Sequence, residues 1–262
     1  MSAILSVRDL QKKFGSVVAA RDISLDIPAQ QTVGVIGANG AGKTTFVNMV
    51  TGHLRPSKGR ILFEERDITG IASRKITRLG ISRSFQVAQI FPSLTVFDNM
   101  CAAVAIARNS PGALAQLRTP VRSSASEAEA IAALQLFQIE RYADTQASTL
   151  PQGVRKLLDI AMAVAGSPRL LLLDEPTSGI SIEEKFGLMD VVMTALKKRQ
   201  ITVLFVEHDM EIVERFADRV LAFYDGTVIA DGKPAETLSN PRVEELISGV
   251  RLKAAAGKAA HA

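Results

Sequence analysis

Along the chain the apolar positions change period twice, and each change predicts a different kind of element. Short β-branched runs at 4–7, 17–20, 23–27 and 32–36 predict strands. A helix follows over 43–50, a strand over 59–63, a basic helix over 73–79 stopped by Gly80, and a short strand ending at Phe85-Gln86. The middle, rich in Ala over 96–107 and 126–137, predicts a helical subdomain, its helices separated by a loop-like insertion that opens with Asn109-Ser110-Pro111-Gly112. The last third alternates: strand 170–173, helix 182–199, strand 201–206, helix 210–217 and strand 220–224, which Asp225-Gly226 turns back into strand 227–230. Ser181 with Glu184 forms a capping box for helix 182–199, and Lys197, Lys198 and Arg199 at its end suit the helix dipole. Alternating apolar strands and helices predict a parallel sheet covered on both faces, beside a β-rich N-terminal section.

Composition narrows this picture without changing it. The 262 residues are 47% hydrophobic and 22% charged, ordinary for a soluble globular protein. The longest wholly apolar stretch, 101–107, is far short of the roughly 20 residues of a membrane span. No basic head precedes an apolar run at the start, so the sequence predicts a protein that stays in the cytoplasm. One cysteine, Cys101, excludes an internal disulfide and reads as a small buried hydrophobe. The net charge of +4 is modest, and its densest basic stretch, Arg74, Lys75, Arg78 and Arg83, reads as a solvated helix face. From Lys253 the sequence lacks large apolar residues, and the tail 251–262 is expected to be a frayed extension.

Two places carry the chemistry. Gly37-Ala38-Asn39-Gly40-Ala41-Gly42-Lys43-Thr44-Thr45 fits G-x-x-x-x-G-K-[ST], between a predicted strand and a predicted helix. Its glycines let successive N–H groups point inward at phosphate oxygens, with the positive end of the following helix behind them. Lys43 is expected to reach the β- and γ-phosphates and the Thr44 hydroxyl to ligate Mg²⁺. A dinucleotide fingerprint is the weaker alternative, because the glycines are not spaced G-x-G-x-x-G. Far downstream, four leucines lead into Asp174-Glu175, at the carboxyl end of a strand where an open α/β sheet binds its ligands. Asp174 is expected in the Mg²⁺ shell, and Glu175 to orient and polarise the water that attacks the γ-phosphate. His208, at the end of the strand 201–206, is expected beside that acid pair as a hydrogen-bond donor to the γ-phosphate. Gln86 reads equally well as a surface glutamine or as a contact to Mg²⁺ and the attacking water.

Gln86, Asp174-Glu175 and His208, in this order after the phosphate turn, resemble the ATP-binding subunit of an ABC transporter over nearly the whole chain to about residue 250. The resemblance implies a P-loop NTPase (RecA-like) core with an N-terminal antiparallel β-subdomain and an inserted helical subdomain over 87–155, all within one ATPase domain over 1–250. It implies ATP and Mg²⁺ as cofactors, with Thr44, Gln86 and Asp174 serving the metal, Glu175 and His208 as the catalytic residues, and Phe14 stacking on adenine. The family signature L-S-G-G-Q falls on Leu150-Pro151-Gln152-Gly153-Val154, departing at three of five positions. In that family the segment clasps the nucleotide of a second ATPase subunit, here either a like or a different chain. Pro151 in place of serine removes one hydrogen bond, whereas Gly153 and the helix N-terminus remain as donors, so the site that this signature completes is expected to be weak. Ser181 stands where the family has an aspartate.

The sequence is similar in finer detail to the branched-chain amino-acid and amide uptake subfamily. Arg83-Ser84-Phe85-Gln86 before Phe91-Pro92-Ser93-Leu94-Thr95-Val96, the long insertion, and Asn240-Pro241 before a helix over 243–247 carry that likeness. It implies a motor on the cytoplasmic face of the membrane, paired with integral-membrane permease subunits through residues 87–100 and fed by an extracytoplasmic solute-binding protein. A lipid or lipopolysaccharide exporter is the nearest alternative. A mechanical ATPase acting on nucleic acid or ribosomes ordinarily carries two cassettes or a long coiled coil, and this chain has neither, so nucleic acid is not an expected partner.

Overall fold

Two aspartates in left-handed conformation, Asp9 and Asp22, both at φ +48, explain the longest strands among the described residues. The sequence predicts a strand that ends at Val7, short of Asp9, and two separate strands on either side of Asp22. Instead the chain bulges at these polar positions and keeps pairing, so that β1 (Ala3–Phe14) and β2 (Val17–Pro28) are each continuous over 12 residues. The computed structural model describes residues 3–84, 88–108 and 124–248. These fall into two compact units, Met1–Leu79 with Thr202–Ala262, and Gly80–Ile201.

In the first unit β2, β1, β4 (Lys58–Phe63) and β5 (Arg66–Asp67) form an antiparallel sheet in that order. Its alternating inward residues Leu5, Val7, Ile23, Leu25, Ile27, Ile61 and Phe63 are buried. On the exposed side Asp26 accepts from the Ser6 hydroxyl at 2.5 Å and, on its two carboxylate oxygens, from Arg8 Nη2 at 2.8 and 2.9 Å. The Ser6 hydrogen bond, then Arg8, holds its carboxyl below the usual range. A second sheet runs in the order β10 (Thr227–Gly232), β9 (Arg219–Tyr224), β3 (Thr32–Gly37), β8 (Thr202–Val206). β9, β3 and β8 run parallel and are nearly wholly apolar, as strands covered on both faces should be. The helix α1 (Lys43–Val50) follows β3 and sets Phe46 against Phe223 of β9, ring centroids 5.5 Å apart and tilted by 40°. Short helices α2 (Ser73–Arg78), α7 (Met210–Phe216) and α8 (Pro234–Leu238) complete the unit. The terminal helix begins earlier than the sequence predicts. Asn240 caps it by accepting from the Arg242 N–H, Pro241 takes the first helical position, and after α9 (Pro241–Val243) the chain continues as a π-helical turn, Glu244–Ser248.

The second unit holds a parallel pair, β6 (Ile81–Ser84) and β7 (Leu170–Asp174), together with helices α3 (Val96–Arg108), α4 (Ser124–Leu136), α5 (Gln152–Val164) and α6 (Ile182–Lys198). All four leucines of β7 are buried, each contributing roughly 1.5–3 kcal/mol. The predicted cap of α6 is present: the Ser181 hydroxyl accepts from the Glu184 N–H at 3.3 Å. Asn99, fully buried on α3, accepts from the Phe91 N–H at 2.8 Å and donates to the Phe91 and Thr95 carbonyls at 3.0 and 2.8 Å. This clamp fixes the loop ahead of α3 and leaves Phe91 and Leu94 exposed. Cys101 is buried, as the sequence predicts.

Candidate functional site

β3 is buried from Val33 onward and delivers the chain into the glycine turn, where exposure switches on abruptly at Ala38, Asn39 and Gly40 and off again at Ala41. The Ala41 N–H closes the turn on the Ala38 carbonyl at 3.1 Å, and the Gly226 N–H holds it from outside through the Ala41 carbonyl, also at 3.1 Å. Gly42 must be glycine: its φ is +98, and a Cβ would stand 2.6 Å from the Ala19 carbonyl oxygen. At Gly40 the φ is +80 and a Cβ would meet nothing within 4 Å, so the turn faces open space there. Gly42 is also the N-cap of α1, with no side-chain cap and no acidic residue in the first turn. Neither a cap side chain nor a first-turn acid of its own therefore takes up the first-turn N–H groups and the positive helix end, an arrangement that fits a polyphosphate. Lys43, 6% exposed, folds back so that Nζ donates to the Gly37 and Ala38 carbonyls at 2.7 and 3.0 Å. Thr44 is exposed and Thr45 half-buried at the start of the helix.

Because β8 pairs in parallel with β3, Val206 opposite Val35, the loop after β8 leaves from the same carboxyl edge as the glycine turn. His208 stands in that loop, exposed, with its N–H donating to the Glu207 carboxylate at 3.2 Å. Asp209 anchors the loop by capping α7 through the N–H groups of Glu211 and Ile212. Phe14, in the same unit, ends β1 opposite Val17 at a hairpin tip. It is 49% exposed, with Lys12 Nζ 5.0 Å from the ring centroid.

In the second unit Asp174 is the last residue of β7, and Glu175 follows in left-handed conformation, φ +46. A non-glycine residue there is strained by about 1–2 kcal/mol, and such strain concentrates at functional positions. The Ser178 N–H donates to the Glu175 carbonyl at 3.1 Å and closes the turn that follows. Asp174 does not stand alone. Arg83 of β6 lies opposite Leu172, so alternation places Asp174, two residues on, on the same face as Arg83. Their side chains, 9% and 13% exposed, form an ion pair, Nη2 to Oδ2, at 2.5 Å. The solvated basic face that the sequence predicts thus excludes Arg83. A signal was available, since Arg83 lies between two serines in a strand and off the helix that carries Arg74, Lys75 and Arg78. Gln86 lies outside the described residues. Among the described residues no three His, Cys, Asp or Glu cluster as a metal cage. The Asp174 carboxylate is a hard oxygen donor of the kind that suits Mg²⁺, which keeps waters and takes phosphate oxygens for the rest of its shell.

The signature segment opens α5 in the same unit. Pro151 is the N-cap itself, at φ −53 and ψ 150, rather than a member of the first turn, and α5 has no side-chain cap. The Gln152 amide turns onto the segment after Glu175, donating to the Ser178 carbonyl at 3.4 Å. Gly153 meets no structural demand among the described residues, where a Cβ would find only Leu188 at an ordinary 3.9 Å.

Comparison with known proteins places this geometry in a family. The ABC transporter family model matches residues 20–178. LivG of Salmonella typhimurium, a high-affinity branched-chain amino acid transport ATP-binding protein, is 35% identical over 92% of this chain and 95% of its own. BraF of Pseudomonas aeruginosa, which carries the same description, is 34% identical over the same shares. The lipopolysaccharide export ATP-binding protein LptB of Acidithiobacillus ferridurans is 30% identical over 95% of this chain and 98% of its own. The crystal structure of an ATP-binding cassette of an ABC transporter in its ADP conformation superposes with a TM-score of 0.82 at 28% identity, covering 94% of this chain and 98% of that one. A glycine turn built for polyphosphate, an acid pair at the end of a buried strand, and likeness over nearly the whole length lead to one conclusion: this chain is an ATP-hydrolysing cassette that belongs to the ABC transporter family.

Proposed function

We propose that this cassette energises an importer of branched-chain amino acids or related small solutes, working on the cytoplasmic face of the membrane beneath integral-membrane permease subunits. The observation that carries the proposal is the 35% identity to LivG over nearly the full length of both chains, against 30% to the exporter subunit LptB. Among the described residues no helix is long and apolar enough to cross a membrane, so a membrane partner has to supply the path. The exposed Phe91, on the loop that Asn99 clamps, and half-buried Phe97 suit docking to such a partner. The extracytoplasmic binding protein that delivers solute acts on the permeases and touches this chain only through them.

The division of labour follows the residues. Gly37, Ala38, Asn39, Gly40, Ala41 and Gly42 supply backbone N–H donors to the β- and γ-phosphates, Lys43 swings from its two carbonyls to neutralise them, and Phe14 stacks on adenine. Thr44, Thr45, Gln86 and Asp174 serve the phosphate and the metal. Mg²⁺, when bound, offsets charge on the phosphate oxygens. Glu175 accepts hydrogen bonding from the attacking water and aims it at the γ-phosphorus, and His208 donates to the γ-phosphate oxygens. Gly153 and the start of α5 close over the nucleotide of a second cassette, of like or different sequence. Residues 1–250 make one ATPase domain, 87–155 its helical subdomain, and 251–262 a tail beyond it.

Glu175→Gln tests the reading directly. The variant should keep ATP binding while turnover falls by about 10²–10³-fold, and with ATP and Mg²⁺ it should trap nucleotide as a dimer with itself or a sister cassette. If gel filtration and filter binding show neither trapping nor pairing, the proposal fails. Co-purification with exporter subunits instead of importer permeases would sustain the ATPase and replace the transport assignment.

A further inference from the structure

The ion pair of Arg83 and Asp174 joins the residue assigned to the metal shell to a permanent cation inside the same unit. Neither side chain is free to swing into solvent: Arg83 is 9% and Asp174 13% exposed, and both rise from paired strands whose register fixes them on one face. The contact uses one nitrogen on one oxygen, Nη2 to Oδ2. Among the described residues Oδ1 receives no hydrogen bond, so the carboxylate is half engaged. A buried carboxylate needs a counter-charge, and Arg83 supplies it at all times because a guanidinium does not deprotonate in a protein.

We propose that Arg83 is a resident counter-cation for Asp174 which an incoming divalent cation has to displace or share, so that Arg83 sets the metal affinity of the site. The inference rests on the assignment of Asp174 to the metal shell made above. Without metal, the pair holds the carboxylate neutralised and correctly aimed, and β6 and β7 are tied at their carboxyl ends. When nucleotide and metal arrive, Asp174 exchanges or shares its Arg83 N–H for the divalent ion, and two like-charged partners then face one carboxylate. Their repulsion, only partly screened at such a semi-buried position, lowers affinity for the metal relative to a site without the arginine. Stabilising the metal-free state acts in the same direction, since whatever the empty state gains has to be given up on binding. The pair thereby makes metal entry conditional on the nucleotide, whose phosphates supply the negative charge that one shared carboxylate lacks. Arg83 is a positioning residue here, acting through Asp174.

The experiment follows Mn²⁺ binding by the loss of the free-ion electron paramagnetic resonance signal, with ADP at saturation and pH 8, alongside thermal denaturation with and without Mn²⁺. Wild type, Arg83→Met, Arg83→Gln, Arg83→Lys and Asp174→Asn are compared as full-length chains. Arg83→Met and Arg83→Gln should bind Mn²⁺ on the order of tenfold more tightly. Their metal-free melting temperature should fall by roughly 10 °C, because a carboxylate is left uncompensated, and Mn²⁺-ADP should recover most of the loss. Arg83→Lys, which keeps the charge, should stay near wild type in affinity. Unchanged or weaker Mn²⁺ binding in both neutral variants overturns the inference and leaves Arg83 a structural partner only. A wild type that takes up no Mn²⁺ with ADP, or an Asp174→Asn chain that binds it as wild type does, sinks the metal assignment of Asp174 first and the inference with it. If neither neutral variant folds, ¹⁵N-arginine side-chain spectra of the wild type decide: the Arg83 guanidinium signals should shift when Mg²⁺ is added to the ADP complex, and signals that do not move refute the exchange.

Discussion

The helix starts at α1 and at α5 are built alike and finished differently. Both lack a side-chain cap, so each presents first-turn N–H groups to whatever anion approaches. At α1 the approach is made of glycines, and the site is open at Gly40 and locked from behind at Gly42 by the Ala19 carbonyl. At α5 the approach is Pro151-Gln152, which offers no hydroxyl and no glycine flexibility, and the Gln152 amide is already engaged with Ser178. On the proposed assignment, the glycine turn keeps the backbone donors this chain uses itself, whereas what it would offer to a second cassette is reduced to Gly153 and the helix end. A third start sharpens the contrast: α6 is sealed by the Ser181 hydroxyl and is a structural cap, no longer an anion site.

The largest effect is expected from Gly42→Ala. A Cβ at φ +98 and 2.6 Å from a carbonyl oxygen forces the loop to move. Strain and overpacking together amount to about 3 kcal/mol or more, a fall in melting temperature near 10 °C, and nucleotide affinity should drop by at least about tenfold. Pro151→Ser should act in the opposite direction. Restoring one charge-assisted hydrogen bond, about 1.5–3 kcal/mol, should strengthen ATP-driven pairing on the order of 10–100-fold in sedimentation and raise turnover. No rise would mean that the two helix starts are functionally equal after all. Gly153→Ala separates fold from function. Because the site has room, the substitution should leave stability unchanged or raise it by about 0.5–1 kcal/mol, while ATP-driven pairing weakens by about tenfold, 1.4 kcal/mol. The smallest effect belongs to Ser181→Ala, which removes a cap worth about 1 kcal/mol and should lower the melting temperature by about 2–4 °C with nucleotide affinity intact.

Most elements were legible because their signals are local. The phosphate turn needs glycines at fixed spacing, β7 needs four consecutive apolar residues, and the Ser181 cap needs a hydroxyl three residues before Glu184. Three features were not legible for the opposite reason. The continuity of β1 and β2 past Asp9 and Asp22 depends on the partner strand accepting a bulge, which no window of one strand contains. The end of the chain's last helix slips into a π-helical turn that side-chain periodicity does not encode. Arg83 looked like one more charge in a basic stretch until β6 paired with β7.

The sequence by itself determined the chemistry this protein has available: a phosphate turn, an acid pair after a buried strand, a histidine after another strand, and a signature short of its serine. Each of these is written in residues adjacent in the chain, where backbone propensity and side-chain type act directly. The tertiary structure alone decided which charges are compensated and by whom. Asp174 and Arg83 are 91 residues apart in sequence and 2.5 Å apart in space, because parallel register between two strands, set by burying apolar side chains, carries the two polar ones together.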